Sequence, residues 1–526
     1  MKSAIQLRVL APAVNPSPVG VYQAPEGGEF RSTGPDGGTI EETSEDKMLL
    51  DPPRTSERWN ELPQARQSTA SVATLISSVA ILARQEGQVI CMNLRELCHK
   101  MGLKPANWRL RVRRIFAIAV VLLLSLPIAA QKSAPSNGSV KPKVRAITAF
   151  VRLDRATWEK QIAEALVVLR KAQKEFESAG YQVESIRITT QPVGELIAGL
   201  SEDDAVALLK RIDELSAKEN FLPNVGPGML QDTDDPAPMR VLERVLSTLP
   251  NIEASAIIAD DSGIHWKTIH RTAELVKFVA EHSVRAQGTF NFAATAMLKP
   301  LGPFYPGSYH TGAGRQFAIG YEGAGVVAEV FARDKGDGDV ATTDLTAALT
   351  KHARVADGVG NRIAAQTGWE YVGVDPTPAP LGDVSIATAI ENFTGAKFGS
   401  SGTLTAARII TAAVKSVPVK QIGYSGLMVP VMEDKVMAQR WADGSFNVDS
   451  LLAYSAVCGT GLDTIPLPGD ISLEQMERIY GDVASLAVKW NKPLSARLQP
   501  VPGKKAGDMT EYQDPFLFNT VIHPVP

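Results

Sequence analysis

The stretch 143-KVRAITAFVRLDRATWEKQIAEALVVLRKAQKEFESAGYQVESIRITT-190 runs from a β-branched, apolar segment through an amphipathic one into a second β-branched segment. Residues 143–153 read as a strand, being rich in Val, Ile, Thr and Phe. In 156–180, Trp158, Ile162, Ala165, Leu166, Leu169, Ala172 and Phe176 recur at intervals of three and four, which puts one apolar stripe along a helix. Gly180 ends that helix, since glycine takes the left-handed turn after a C-terminus without steric cost. Residues 182–190 then read as a second strand.

The same alternation continues along the chain. A helix over 201–220 opens on Ser201 as N-cap, with acids in its first turn that suit the helix dipole. Strand 253–259 precedes helix 267–283, and strand 369–375 precedes helix 384–395. Helix 471–491 precedes strand 494–500. Repeated strand–helix units predict an α/β fold with a largely parallel sheet, open or closed into a barrel. In such folds the loops after strand C-termini carry the chemistry.

Bulk composition narrows the function classes. The chain has 526 residues, 54 Lys plus Arg against 57 Asp plus Glu, and a net charge of −3. That balance provides no polybasic surface for nucleic acid. Three cysteines make no disulfide framework, and Cys91, Cys98 and His99 lack the second half of a zinc site.

The segment 109-RLRVRRIFAIAVVLLLSLPIAAQ-131 combines a basic start, an apolar run and a small residue, Ala130, before a cut that would leave Gln131 as the new N-terminus. This is the pattern of a secretory signal peptide, or of a signal anchor if uncleaved. It divides the chain into a low-order extension (1–108), a signal or anchor helix (109–130), a linker (131–142) and one α/β domain (143–526). In the extension, 71-SVATLISSVAILA-83 is the one apolar patch, read as a helix. Met101, or Met92, is then the natural translation start. The domain is expected outside the cytoplasm, periplasmic or extracellular, with membrane contact only through 109–130.

Glycine-rich segments are the places to look for a site: 286–294, 305–323, 373–383, 423–434, 456–470 and 497–508. The blocks 459-GTGLDTIPLPGD-470 and 493-PLSARLQPVPGKKAGD-508, with 145-RAITAFV-151 at the start, resemble the family called domain of unknown function 711, also uncharacterised protein family 0210. The resemblance spans about 143–526. It implies a large ten-stranded α/β barrel of the pyruvate formate-lyase type, a fold shared with glycyl radical enzymes. Those enzymes need a loop cysteine and a glycine in an Arg-Val-X-Gly-Tyr type loop. Cys458 fits the first requirement, whereas Gly423, Gly503 and Gly507 do not match the second. The expected chemistry is therefore not radical chemistry.

Each candidate residue has a functional and a plain reading. Cys458, before a Gly-Thr-Gly turn, is a nucleophile or a buried apolar residue. His310, among glycines, is a catalytic acid or base, with Arg315 and Glu322 near it in sequence, or a loop histidine. Asp463 is the stronger catalytic candidate in its stretch, read as a rigid acidic loop at a barrel mouth. Asp375, Asp463 and Asp470 suit a divalent cation, Ca or Mg, or else turn chemistry. Asp383 reads as an N-cap, and Glu433 with Asp434 form a further acidic pair. Asn291, Arg315, Asp375, Lys504 and Lys505 are the ligand-binding candidates, Lys504 and Lys505 between glycines with Arg497 before them. Two functions follow: an enzyme acting on a small anionic metabolite, or a non-catalytic protein binding a small molecule or cation. A homo-oligomer is compatible with either.

Overall fold

The computed structural model describes residues 140–525, together with the backbone of a two-stranded ladder in which Ile81–Gln85 pairs antiparallel with Gln88–Met92. Residues 81–83, the end of the patch expected to be helical, thus lie in a strand. The predicted leader over 109–130 and most of the linker fall outside the described residues. Among those described, no helix is long and apolar enough to cross a membrane. The chain divides into two compact units, 1–128 and 129–526, and the second holds the domain.

The first half of the domain alternates as the sequence predicts. It comprises β1 (Lys143–Val151), α1 (Trp158–Ser178), β2 (Ile186–Thr190), α2 (Val193–Leu196), α3 (Glu202–Glu219), β3 (Leu222–Pro227), α4 (Ala237–Thr248), β4 (Glu253–Asp260), β5 (Gly263–Ile264), α5 (Trp266–His282) and β6 (Phe292–Ala296). All seven stripe residues of α1 are buried, and Ser201 caps α3 by accepting the Asp204 N–H at 3.2 Å. The second half follows with β7 (Gly314–Glu322), α6 (Ala324–Arg333), α7 (Gly338–Thr367), β8 (Glu370–Asp375), α8 (Ile386–Thr394), α9 (Thr403–Lys415), α10 (Lys435–Ala442), α11 (Val448–Ser455), β9 (Gly461–Pro468), α12 (Leu473–Trp490) and β10 (Leu494–Val501).

All ten strands belong to one sheet, in the order β8-β7-β1-β2-β3-β4-β6-β10-β9, with the short β5 on β4. Strands β1, β2, β3, β4 and β6 run parallel. The pairs β7/β8 and β9/β10 are parallel within themselves and meet the central five antiparallel, at β1/β7 and β6/β10. The sheet is therefore mixed. Its two edges, β8 and β9, are joined by the irregular segment 420–431. The Val374 N–H donates to the Lys420 carbonyl at 3.0 Å, and the Val431 N–H to the Asp463 carbonyl at 3.0 Å. That segment, with one bridge to each edge at Val374 and Asp463, closes the sheet into a barrel.

The helices cover the outside and bury one face of every long strand in a continuous apolar cluster. Inside, loop 297–312 is held by polar groups on the inner strand faces. Thr148 Oγ1 donates to the Pro303 carbonyl at 2.9 Å, and Asn224 Nδ2 to the Pro306 carbonyl at 2.7 Å. Thr189 Oγ1 bonds Ser308 Oγ at 2.8 Å. A loop buried this way needs its backbone satisfied, and these strand residues supply the partners.

Three segments read as loops are instead largely strand. Residues 292–296 form β6, 314–322 form β7, and 461–468, expected as an acidic loop, form the fully buried β9. In β7 and β9, glycines and prolines masked the pattern. Pro466 and Pro468 are tolerated because β9 forms a ladder with β10 alone, its other side carrying one bridge, at Asp463.

Candidate functional site

The strands before and after the two antiparallel seams bring charged residues to one end of the barrel. Arg145, Arg187 and Glu253 lie at the N-terminal ends of β1, β2 and β4, and Asp463 and Arg497 lie on β9 and β10 at the same level. These five, with Glu184, Tyr305, Phe290, Phe304, Met428 and Glu433, line a cavity of about 990 Å³. For the central five strands this is the N-terminal end. For β7, which runs the other way and ends in Glu322, it is the C-terminal end.

Most of the charge is internally paired. Arg497, buried, donates Nε to Asp463 Oδ1 at 2.5 Å and Nη2 to Glu433 Oε1, and its guanidinium lies 4.7 Å from the Phe290 ring centre. Burial opposes its charge, but the two carboxylates outweigh that and hold its pKa above the ordinary arginine value. Arg145 reaches Glu433 Oε2 at 3.1 Å, Glu322 Oε2 at 3.2 Å and Glu184 Oε2 at 3.5 Å. Lys143 adds contacts to Glu184 at 2.9 Å and Glu322 at 3.2 Å. A chain of ion pairs thus runs from Asp463 through Arg497, Glu433 and Arg145 to Glu322. Burial, then the neighbouring Glu184 carboxyl, push Glu322 up to about 7.

Arg187 and Glu253 stand outside that chain. Arg187 is 7% exposed, and its guanidinium lies 4.8 Å from the Tyr305 ring centre. Its Nε donates to Ser185 Oγ at 2.8 Å. Among the described residues it has no ion-pair partner, and its two terminal nitrogens make no hydrogen bond. Burial lowers its pKa below the ordinary arginine value. Glu253, in the same wall, has neither ion pair nor hydrogen bond among the described residues. Burial raises it to about 7, against the pull of Arg187. A buried arginine with a free edge costs desolvation without compensation unless something binds it. Together the two present a fixed cation and a carboxyl that changes charge near neutrality, the equipment for holding an anion and moving a proton.

The sequence candidates fall in several places. Asp463 and Asn291 line the cavity, Asp463 tied to Arg497 and Asn291 donating Nδ2 to the Pro250 carbonyl at 3.0 Å. Cys458 is 0% exposed in the apolar cluster and does not line the cavity. His310 is buried near the opposite end of β1, edge-on to Phe150, and neither ring nitrogen makes a hydrogen bond. Burial lowers its pKa. Asp375 is fully buried and accepts from Tyr424 N at 2.8 Å, Ser425 N at 3.1 Å, Thr377 N at 3.0 Å and Thr377 Oγ1 at 2.5 Å. It is a clamp between β8 and the closing segment.

Arg315 lies on the surface, 5.6 Å from the Trp369 ring centre. Lys504 pairs with Glu511 at 2.7 Å, and Lys505 and Asp470 are exposed. Ser385, rather than Asp383, caps α8, while Asp434 caps α10 and also accepts the Ile386 N–H at 2.7 Å. Asp375, Asp463 and Asp470 therefore do not converge. Asp375 and Asp463 are already engaged, and among the described residues no group of three or more His, Cys, Asp or Glu side chains is arranged for a metal ion. Arg145, Glu184, Arg187, Glu253 and Tyr305 were not anticipated. Their one signal is a charge set within an otherwise apolar strand, as in VRAITAFV, SIRITT and EASAIIA.

Comparison with known proteins places the chain. The family model described as Uncharacterised ACR (DUF711) matches residues 139–513. A UPF0210 protein of Pyrobaculum aerophilum is 33% identical over 347 residues, covering 62% of this chain and 76% of that protein. One from Leuconostoc mesenteroides is 30% identical over 350 residues, covering 63% and 77%. Among solved structures, an anaerobic ribonucleotide reductase matches with TM-score 0.30 at 9% identity, covering 68% of this chain and 72% of that one. A second, from Thermotoga maritima with glycerol in the active site, also scores 0.30, at 8% identity and 68% and 76% coverage. Those scores are too low to carry over either fold or function. The family match, over the whole described domain but its last residues, is sufficient: the chain is a member of the DUF711 family.

Proposed function

We propose that this protein is an enzyme acting on a small anionic metabolite, bound in the charged cavity at the seam end of the barrel. The observation that carries the reading is Arg187: buried, held in place by Tyr305 and Ser185, and without an anionic partner in a wall where Arg145 and Arg497 are both engaged. Its planar edge matches a carboxylate in two parallel N–H···O bonds. Glu253 is the proton-transfer group, its pKa of about 7 suited to giving and taking a proton near neutrality. Cys458, in the apolar cluster and not lining this cavity, is assigned no role in it.

A thermal-shift screen of purified protein against small carboxylates and phosphates tests the reading, followed by a search for turnover of whatever binds. Stabilisation by an anion that Arg187→Gln abolishes is the expected result. Equal stabilisation of the variant overturns the assignment, and binding without turnover assigns a ligand-binding role instead. Export of residues 131–526 rests on the 109–131 pattern alone. N-terminal sequencing of the native protein checks it, with an intact 1–100 on a cytosolic protein as the contrary result.

A further inference from the structure

The cavity wall is more specific than an anion site. Four arginines and six carboxylates line it, so an anion entering meets more negative than positive side chains. Backbone adds to that imbalance. Helices α1, α3, α4 and α5 each lead into β2, β3, β4 or β6, so their C-terminal ends gather at this mouth. Residues of the last turns of α3 and α4 line it directly. Helix C-termini carry partial negative charge and outward carbonyls, which favour cations and hydrogen-bond donors. A phosphate or dicarboxylate dianion is poorly matched to such a mouth. Within it, Arg187 and Glu253 are the cation and the carboxyl without an ion-pair partner among the described residues, and they flank β3 in one wall, Arg187 pairing with Leu222 and Glu253 with Asn224. The gap between them is what a molecule carrying both signs would fill.

We propose that the ligand is a zwitterion, an amino acid or short ω-amino acid, with its carboxylate on the free edge of Arg187 and its ammonium on Glu253. This rests on the reading of Arg187 as a carboxylate site and changes the metabolite from a plain anion to one whose carboxylate is joined by an ammonium. The carboxylate takes the two terminal Arg187 nitrogens, since Nε is held by Ser185 and one face by Tyr305. The ammonium takes the Glu253 carboxylate, with the carbonyl-rich mouth beyond it. Glu253 is thereby positioned to remove a proton from the amino group.

Calorimetric titration of the full chain with matched pairs tests this: alanine against propionate, β-alanine against propionate, 4-aminobutyrate against butyrate, the remaining standard amino acids, and inorganic phosphate. At least one zwitterion is expected to bind tenfold or more tightly than its plain acid. Glu253→Gln should erase that ratio and leave the plain acid within about twofold, whereas Glu253→Asp should retain part of it. Circular dichroism shows that the variants are folded. Plain acids or phosphate binding as tightly as the zwitterions would overturn the inference and leave the anion site standing, as would a ratio that survives Glu253→Gln. No binding by any member, or binding indifferent to Arg187→Gln, overturns both.

Discussion

At Asp375, four donors converge on one buried carboxyl, and its chemistry is structural. Asp375→Ala leaves three backbone N–H groups unsatisfied, those of Tyr424 and Ser425 in the closing segment and that of Thr377. It should lower stability by about 2–4 kcal/mol, measured by urea denaturation. Cys458 is fully buried, so its thiol should resist labelling in the native protein and react once unfolded, as peptide mass mapping would show. Glu253 gives a pH test. Its pKa is about 7 folded against 4.5 for a free side chain, so the native state holds a proton that the unfolded chain has released. Stability from this group therefore falls as pH rises from about 4.5 to 7, by roughly 1–3 kcal/mol. Glu253→Gln should flatten the profile in that window, apart from a slope left by Glu322, and an unchanged profile would contradict the assignment.

The closing segment between β8 and β9 depends on close backbone approaches. A Cβ at Gly426 would lie 2.5 Å from Gly459 Cα, and one at Gly373, where φ is +135°, would lie 2.3 Å from the Lys420 carbonyl oxygen. Gly426→Ala should destabilise the domain by about 2–4 kcal/mol in the same denaturation assay. The strand–helix units around this seam were legible in the sequence wherever periodicity ran undisturbed. The α1 stripe is buried at every predicted position, and the ends of α3, β4, α5, β8 and α12 lie within two residues of their expected places. Strand β9 was not legible, because Gly461, Pro466 and Pro468 imitate a loop and only pairing with β10 overrides them. Helix α7 was missed for a related reason: its Thr- and Gly-containing sequence gives a weak stripe.

The whole barrel is held at one end by the ion-pair chain from Asp463 to Glu322, which ties β9, β10, Glu433 just beyond the closing segment, β1 and β7 together. Arg497→Leu would leave Asp463 and one side of Glu433 uncompensated. It should lower stability by about 3–5 kcal/mol, the cost of stranding buried charge, readable in thermal denaturation. The site itself was only partly legible in the sequence, which pointed to Asp463, Asn291, Glu433 and Arg497 through unusual loop blocks. Arg187 and Glu253 are single charges in separate strands, and only the barrel's closure brings them into one wall. A crystal structure of the protein with its tightest-binding small carboxylate is the most direct test of the site. The carboxylate is expected on the two terminal nitrogens of Arg187, beside Glu253. A ligand seated elsewhere, such as near His310 at the other end of the barrel, would contradict it.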